Sequence, residues 1–470
     1  MGGIIFGPFS TMQHFDAIII GSGQGGTPLA RKLAQAGWKT AMVEKRWAGG
    51  TCINDGCTPT KAMIASAKVA YEAANSSRWG IRVDGYATNL EAVVERKNKI
   101  VSSFRGGNEK RLQGENQTLF YGEASFTGRK TLHVALNKGG SELISAEHIF
   151  IDTGTWPLIP DIPGLSDIPW FTSTTLLDLT TLPSHLLILG GSYIALEFGQ
   201  MFRRFGCEVT IIERSSNLLS REDDDITSAI RKMLEGEGIR IFTDAQAQQA
   251  EQTSRHIVLT INTGGQTHTV EGSHLLIATG RAPQTSALRL DQTGVKTDAH
   301  GYILVNDKLE TSEPGIYALG DVKGGPAFTH ISYHDHLIVY KNLVEKANMT
   351  TANRQVPYCM FTDPQLGRIG LSEKEAGKQG LQYKVASLPM NYVARAIETG
   401  NTVGFMKVLV EEGSGKILGA AVLGAEGGEL MSLLQMAMVG GITAQQMKEM
   451  VFAHPLYAES LNNVFLSLDK

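Results

Sequence analysis

Cysteine is scarce in this chain, with four residues in 470. So few exclude a secreted disulfide scaffold and point to a reducing, cytoplasmic setting, where a close cysteine pair serves redox chemistry or holds a metal. Long apolar runs are missing as well. None approaches the roughly 18 residues of a membrane helix, and Met1 to Phe15 lacks the basic and apolar regions of a signal peptide. Nor does charge of one sign prevail: the formal net charge is −4, with both signs spread along the chain. That leaves no basic stripe for nucleic acid and no polybasic segment for a membrane surface. Small-molecule chemistry remains, in a chain long enough for about two to four domains.

Glycine is abundant, with 52 residues gathered in short loops. Asp16 to Ile20 reads as an apolar strand, Gly21-Ser22-Gly23-Gln24-Gly25-Gly26 opens an amphipathic helix to about Ala36, and Thr40 to Val43 forms a second strand ending at Glu44. The glycines let backbone amides and a helix N-terminus approach a pyrophosphate, and the terminal acid suits the hydroxyls of an adenosine ribose. The order recurs downstream: Leu186 to Leu189, then Gly190-Gly191-Ser192-Tyr193-Ile194-Ala195, a helix through Phe205, and Val209 to Ile212 ending at Glu213. Each acid lies 23 residues past its first glycine. Ser192 and Ala195 stand where glycines are usual, and both are small enough for close backbone approach. Two such units imply two dinucleotides, one flavin and one nicotinamide.

A second pair of echoes, Ile151-Asp152-Thr153-Gly154-Thr155 and Ile277-Ala278-Thr279-Gly280-Arg281-Ala282-Pro283, marks crossings between domains, with Pro157 to Pro163 as a linker. Next comes a strand ending at Gly320-Asp321, with Thr329 expected to cap the following helix. From about Tyr358 strands and two helices alternate without nucleotide motifs. The expected fold is α/β: two Rossmann-like dinucleotide-binding domains and a C-terminal α+β interface domain. The boundaries expected are 1–156 with 277–346, 157–276, and 347–470. The eleven residues before Met12 receive no structural role, which makes Met12 a candidate start.

Gly50-Thr51-Cys52-Ile53-Asn54-Asp55-Gly56-Cys57 carries the chemistry. Alone, the pair reads as redox dithiol or metal site; no second close pair follows at zinc-ribbon spacing, which favours the dithiol. Cys57 opens a helix, whose N-terminus stabilises a thiolate, and Lys61 adds positive charge one turn later. Asp55 reads as a solvated loop acid; facing the thiols, it would raise a cysteine pKa instead. Cys207 and Cys359 read as core residues. His330 and His334 share a helix face, with His336 nearby; the preferred reading is a polar helix rather than a metal site. His454 and Glu459 are a candidate acid/base and its orienting carboxylate, since imidazole exchanges protons near neutrality.

Together these motifs resemble, over nearly the whole chain, the pyridine nucleotide-disulfide oxidoreductases that contain FAD and a redox dithiol, the group of glutathione reductase, dihydrolipoamide dehydrogenase and mercuric reductase. The resemblance implies FAD at Gly21, Gly23, Gly26, Glu44, Gly50, Thr51, Thr153, Gly154, Asp321 and Thr329. It implies NAD(P)H at Gly190, Ser192, Tyr193, Ala195, Glu213, Arg214 and Gly280, with Tyr193 the ring that moves aside for nicotinamide. Glu213 would repel a 2′-phosphate and so favours NADH, while Arg214 leaves NADPH open. Electrons would then pass from NAD(P)H through FAD to a Cys52–Cys57 disulfide. Cys52 would be the interchange thiol, Cys57 the charge-transfer thiol, and Lys61 would pair with Glu197. His454 and Glu459 would act on the dithiol of the other subunit in a homodimer. Gly325 to Ser332 and Phe361 to Gln365 look like the mercuric-reductase-like and reactive-chlorine-response branch, although the terminal cysteine pair of mercuric reductases is missing. Leu456 and Ala458 replace the small hydroxyl residues common among thiol-substrate members. The expected substrate is therefore a small disulfide or a thiophilic metal ion. Dihydrolipoamide dehydrogenase proper, or a flavin redox sensor with incidental diaphorase activity, are the alternatives.

Overall fold

The computed structural model describes residues 12–469; the eleven residues before Met12 lie outside them. The chain divides into two compact units, one holding its described residues up to Ala62 with Glu95–Leu158 and Gly280–Arg354, the other holding Met63–Val94, Ile159–Thr279 and Gln355 onward.

In the first unit the strand Gln13–Ile20 lies between Thr40–Glu44 and Ser141–Ile151, all parallel, with Gln117–Gly128 and Ile316–Ala318 outside them. Alternation along the strand sends Ala17 and Ile19 to one face, against Leu29 and Leu33 of the helix Gly26–Gln35, and Ile18 and Ile20 to the other. A parallel strand covered on both faces must be apolar at every position, and this one is from Ala17 on. The far halves of Gln117–Gly128 and Ser141–Ile151 join Thr131–Leu136 in an antiparallel meander.

The second unit repeats the device. Arg240–Phe242, Glu208–Ile212, His185–Leu189, His274–Ile277 and Phe171–Thr172 form a parallel sheet in that order. Leu186 and Ile188 pack on the helices Tyr193–Phe205 and Asp224–Gly236, while Leu187 and Leu189 pack on the antiparallel strands Ala245–Gln252, Ile257–Thr263 and Gln266–Gly272. The C-terminal part is a five-stranded antiparallel sheet with the helix Gly427–Val439 on it. Among the described residues no helix is long and apolar enough to cross a membrane.

Buried charge ties the parts of the second unit together. Lys407 is enclosed, its ammonium 3.0 Å from Asp223 and 2.8 Å from Asp225, with Glu373 completing the shell. Glu222 nearby meets Arg368 at 3.3 Å and takes the Tyr358 hydroxyl. Burial, with Asp223 and Glu375 adding to it, pushes the Glu222 carboxyl up to about 7. Because its folded-state pKa lies above the unfolded value, stability falls as pH rises from about 4.5 to about 7 and stays lower above that. Glu222→Gln should therefore raise stability at pH 8, by on the order of 3 kcal/mol, with the gain shrinking toward pH 5. Chemical denaturation of both proteins across that range checks this.

Candidate active site

Glycine shapes the turn between Gln13–Ile20 and Gly26–Gln35. Gly21 has φ +99°, and a Cβ there would come 2.8 Å from the Asp152 carbonyl carbon. One at Gly23 would lie 2.7 Å from an Asp152 carboxylate oxygen, and one at Gly50 would lie 2.6 Å from the Gly23 Cα. The helix has no side-chain N-cap and no acid in its first turn, so its positive end favours an anion. Glu44 accepts the Ser22 amide at 2.9 Å and hydroxyl at 2.6 Å on one oxygen, and the Arg46 amide at 2.7 Å on the other. An ionised carboxylate offers about four acceptor sites, so one remains for a ribose hydroxyl. The residues fit an adenine dinucleotide such as FAD. Near the same unit's crossing, Thr153 and Gln284 bond each other's carbonyls, Gly154 has φ +66°, and the Thr155 hydroxyl donates to Asp321 at 3.0 Å.

Sequence reasoning passed over Asp152. Buried beneath the turn, it accepts the Gly26 amide at 2.7 Å and the Ser332 hydroxyl at 3.3 Å. Burial pushes its carboxyl well above the usual range, against the pull of Gly26. The signal was there, since the matching position of the second echo is Ala278.

Cys52 lies on the short helix Gly50–Asn54, and Cys57 is the first residue of Cys57–Ala74. Neither is in a disulfide. The Cys57 sulfur is 3.3 Å from the Thr329 hydroxyl. Thr329 is not the cap expected from sequence: Phe328 holds that position, and Thr329 begins the helix Thr329–Leu343 with its hydroxyl turned to the thiol instead. A hydrogen bond with Cys57, then burial, raises the Cys52 thiol far above its ordinary value, while Thr329 and Lys61 pull it down. These influences together hold Cys52 toward its protonated form. Asp55 is not a solvated acid. Its carboxylate is 12% exposed and forms a bidentate pair with Arg46, at 2.7 and 3.0 Å.

In the second unit Gly190, φ +113°, repeats Gly21: a Cβ would come 2.8 Å from the Ala278 carbonyl carbon. Ser192 precedes the helix Tyr193–Phe205 without a side-chain cap, and Ala195 is wholly buried. Tyr193 is half-buried, and Gly280 follows the crossing with φ +140°. Glu213 accepts the Ser215 amide at 2.7 Å, and Arg214 is exposed. Glu197 accepts the Phe361 amide at 2.8 Å. Lys61 belongs to the first unit and Glu197 to the second. His454 is 68% exposed on its side chain, and its Nδ1 meets Glu459 at 2.9 and 3.2 Å.

The three helix histidines occupy three environments. His330 is exposed and stacked on Phe328, His334 is half-buried, and His336 is enclosed against Tyr333, where burial holds it down to about 4. Cys207 is buried as expected, while Cys359 is only partly covered. Among the described residues the one cluster with metal-ligand spacing is Asp223, Asp225 and Glu373, which surrounds Lys407.

Comparison with known proteins adds to this geometry. The family model described as pyridine nucleotide-disulphide oxidoreductase matches residues 15–335, and that of the family's dimerisation domain matches residues 356–465. RclA of Escherichia coli strain K12 is 36% identical over 466 residues, covering 97% of this chain and 99% of that protein. A mercuric reductase of Staphylococcus aureus is 34% identical over 465 residues, covering 98% and 84%. A dihydrolipoyl dehydrogenase of Chlamydia pneumoniae is 33% identical over 448 residues, covering 95% of each. Among solved structures, the Cu(II) complex of the HOCl-induced flavoprotein disulfide reductase RclA superposes with a TM-score of 0.89 at 34% identity, covering 97% of this chain and 99% of that one.

Proposed function

The chain belongs to the pyridine nucleotide-disulphide oxidoreductases and is an NAD(P)H-dependent flavoprotein oxidoreductase; from that premise we propose that its electrons leave through Cys52 and Cys57 to a small disulfide or a thiophilic metal ion. One observation carries this reading: two cysteines not joined in a disulfide stand on the short helix Gly50–Asn54 and at the first residue of the next helix, with the Cys57 sulfur 3.3 Å from the Thr329 hydroxyl and Lys61 favouring thiolate at Cys52. FAD, when bound, supplies the two-electron relay between nicotinamide and dithiol.

The remaining roles fall to the chain's own residues. Gly21, Gly23, Gly26, Gly50 and Thr51 admit the pyrophosphate, Glu44 holds a ribose, and Asp321 with Thr153, Gly154 and the helix opening at Thr329 holds the rest of the flavin. Gly190, Ser192, Ala195 and Gly280 admit the nicotinamide nucleotide behind Tyr193, and Glu213 favours NADH over NADPH despite Arg214. Lys61 supplies positive charge one turn after Cys57. Cys52 gives its proton to His454 and, as thiolate, attacks one sulfur of a substrate disulfide, expelling the other half as a thiolate that takes that proton back. Cys57 then attacks Cys52, closes the Cys52–Cys57 disulfide and releases the second thiolate. With Cu(II) as substrate, the same dithiol closes as two ions are each reduced by one electron. Two copies pair through the C-terminal part, so that the exposed His454, oriented by Glu459, serves the dithiol of the other copy. The scarcity of cysteine suits such a protein to the cytoplasm.

Turnover with lipoamide, glutathione disulfide, Cu(II) and Hg(II), each with NADH and NADPH, tests the assignment. Turnover of lipoamide alone would instead favour dihydrolipoamide dehydrogenase. His454→Gln should slow substrate reduction by about 10²–10⁴-fold while leaving reduction of the enzyme by NADH at its parental rate. Single-turnover stopped-flow of the two half-reactions separates these effects.

A further inference from the structure

The segment between the two cysteines is held by charge. Asp55, two residues before Cys57, carries the bidentate pair to Arg46. The Arg46 guanidinium lies over the rings of Trp47, at 4.6 Å, and Trp156, at 5.5 Å. Arg105 covers Trp47 at 4.2 Å and donates to the Asn54 side chain at 2.8 Å. Asn54 in turn donates to the Ala48 and Gly50 carbonyls at 3.1 and 2.9 Å, and Ile53 is buried. Each of the three residues from Ile53 to Asp55 is therefore anchored, and the only formal charge among them is Asp55. The same Arg46 donates its amide to Glu44.

We propose that Arg46 is the positioning residue of the redox loop, fixing Asp55 and cancelling its charge so that a thiolate can form beside an acid. This rests on the dithiol reading given above. A planar guanidinium suits the task because its fork matches a carboxylate while its face rests on indole rings. The stacking leaves it less mobile than a solvated lysine would be. Cys57 and burial oppose a thiolate at Cys52, whereas Lys61, the Thr329 hydroxyl and the N-terminus of the helix opening at Cys57 favour one. The Asp55 carboxylate without the guanidinium against it would oppose these three.

The sign of the effect makes it testable. Arg46→Gln takes the guanidinium from Asp55, two residues before Cys57, and should slow alkylation of the reduced holoenzyme by iodoacetamide near neutral pH by about threefold, the scale of one partly screened charge. Asp55→Asn uncovers the positive charge and should speed alkylation by a similar factor. The double variant Arg46→Gln with Asp55→Asn should return to the parental rate. The rate is followed against pH with flavin content measured in each protein, so a variant that fails to hold flavin is recognised and the Asp55→Asn arm still decides. Opposite shifts restored in the double variant support the proposal. Shifts of the same sign, or no shift with Asp55→Asn, overturn it. The readout is thiol ionisation rather than turnover, so it stands even if the dithiol proves not to carry electrons to substrate.

Discussion

Replacing Cys57 by serine should lower NAD(P)H-driven reduction of substrate by about 10³-fold or more, the scale on which removal of a reacting nucleophile acts. The variant should still bind flavin, because the thiol makes no part of the glycine cradle. It should accept only the electron pair that the flavin can hold, half of what the parent accepts, in an anaerobic titration with dithionite. Serine is the informative choice: it keeps the size and the contact with Thr329 but cannot ionise near neutrality or form a disulfide. Cys52→Ser should lose turnover to the same degree while leaving a thiolate at Cys57. Its oxidised form should then show long-wavelength absorbance that Cys57→Ser lacks, since Cys57 opens a helix, whose N-terminus favours thiolate, and lies against the Thr329 hydroxyl. Full physiological turnover in either variant would return the protein to the redox-sensor alternative.

What the sequence revealed of this site, and what it concealed, follows from the range of the interactions. The two strand–turn–helix units could be read because both signals are local. Glycine is needed where the chain turns against a neighbouring carbonyl, and a strand buried on both faces is apolar throughout, as Ile18 to Ile20 and Leu186 to Leu189 are. The start of a helix at Cys57 is equally local. Asp55 was misjudged because its partner, Arg46, is nine residues away across a turn, and no periodicity announces which arginine a carboxylate will meet. Thr329 looked like a cap by residue type, yet Phe328 takes the extended backbone conformation of that position. Asp152 depends on longer range still, since its partners Gly26 and Ser332 are separated from it by 126 and 180 positions. Only its contrast with Ala278 could have drawn notice. Lys407 with its three carboxylates belongs to the same class, because a lysine inside a strand looks solvent-facing until the fold supplies its partners.

Gly21→Ala and Gly190→Ala should separate the two nucleotide sites by opposite losses. At both positions the backbone has positive φ, which costs an L-residue roughly 1–2 kcal/mol, and at both the new methyl group meets a carbonyl carbon at 2.8 Å. The obstructing atoms are backbone at the end of a central strand, so they cannot swing aside as a flexible side chain would. The turn itself must move, and with it the amides at the start of the helix. Gly21→Ala should therefore purify with flavin content lowered about tenfold or more, a loss that corresponds to about 1.4 kcal/mol or more of binding. Gly190→Ala should keep its flavin, remain reducible by dithionite and lose rapid reduction by NADH. Gly37→Ala is the control. Its φ of +88° imposes the same backbone cost, but an added Cβ there meets nothing within 4 Å, so flavin content and NADH reduction should both match the parent despite a small drop in stability. If Gly37→Ala lost flavin as Gly21→Ala does, backbone strain alone would explain the result, and the close approach of Gly21 to Asp152 would not be what forms the cradle.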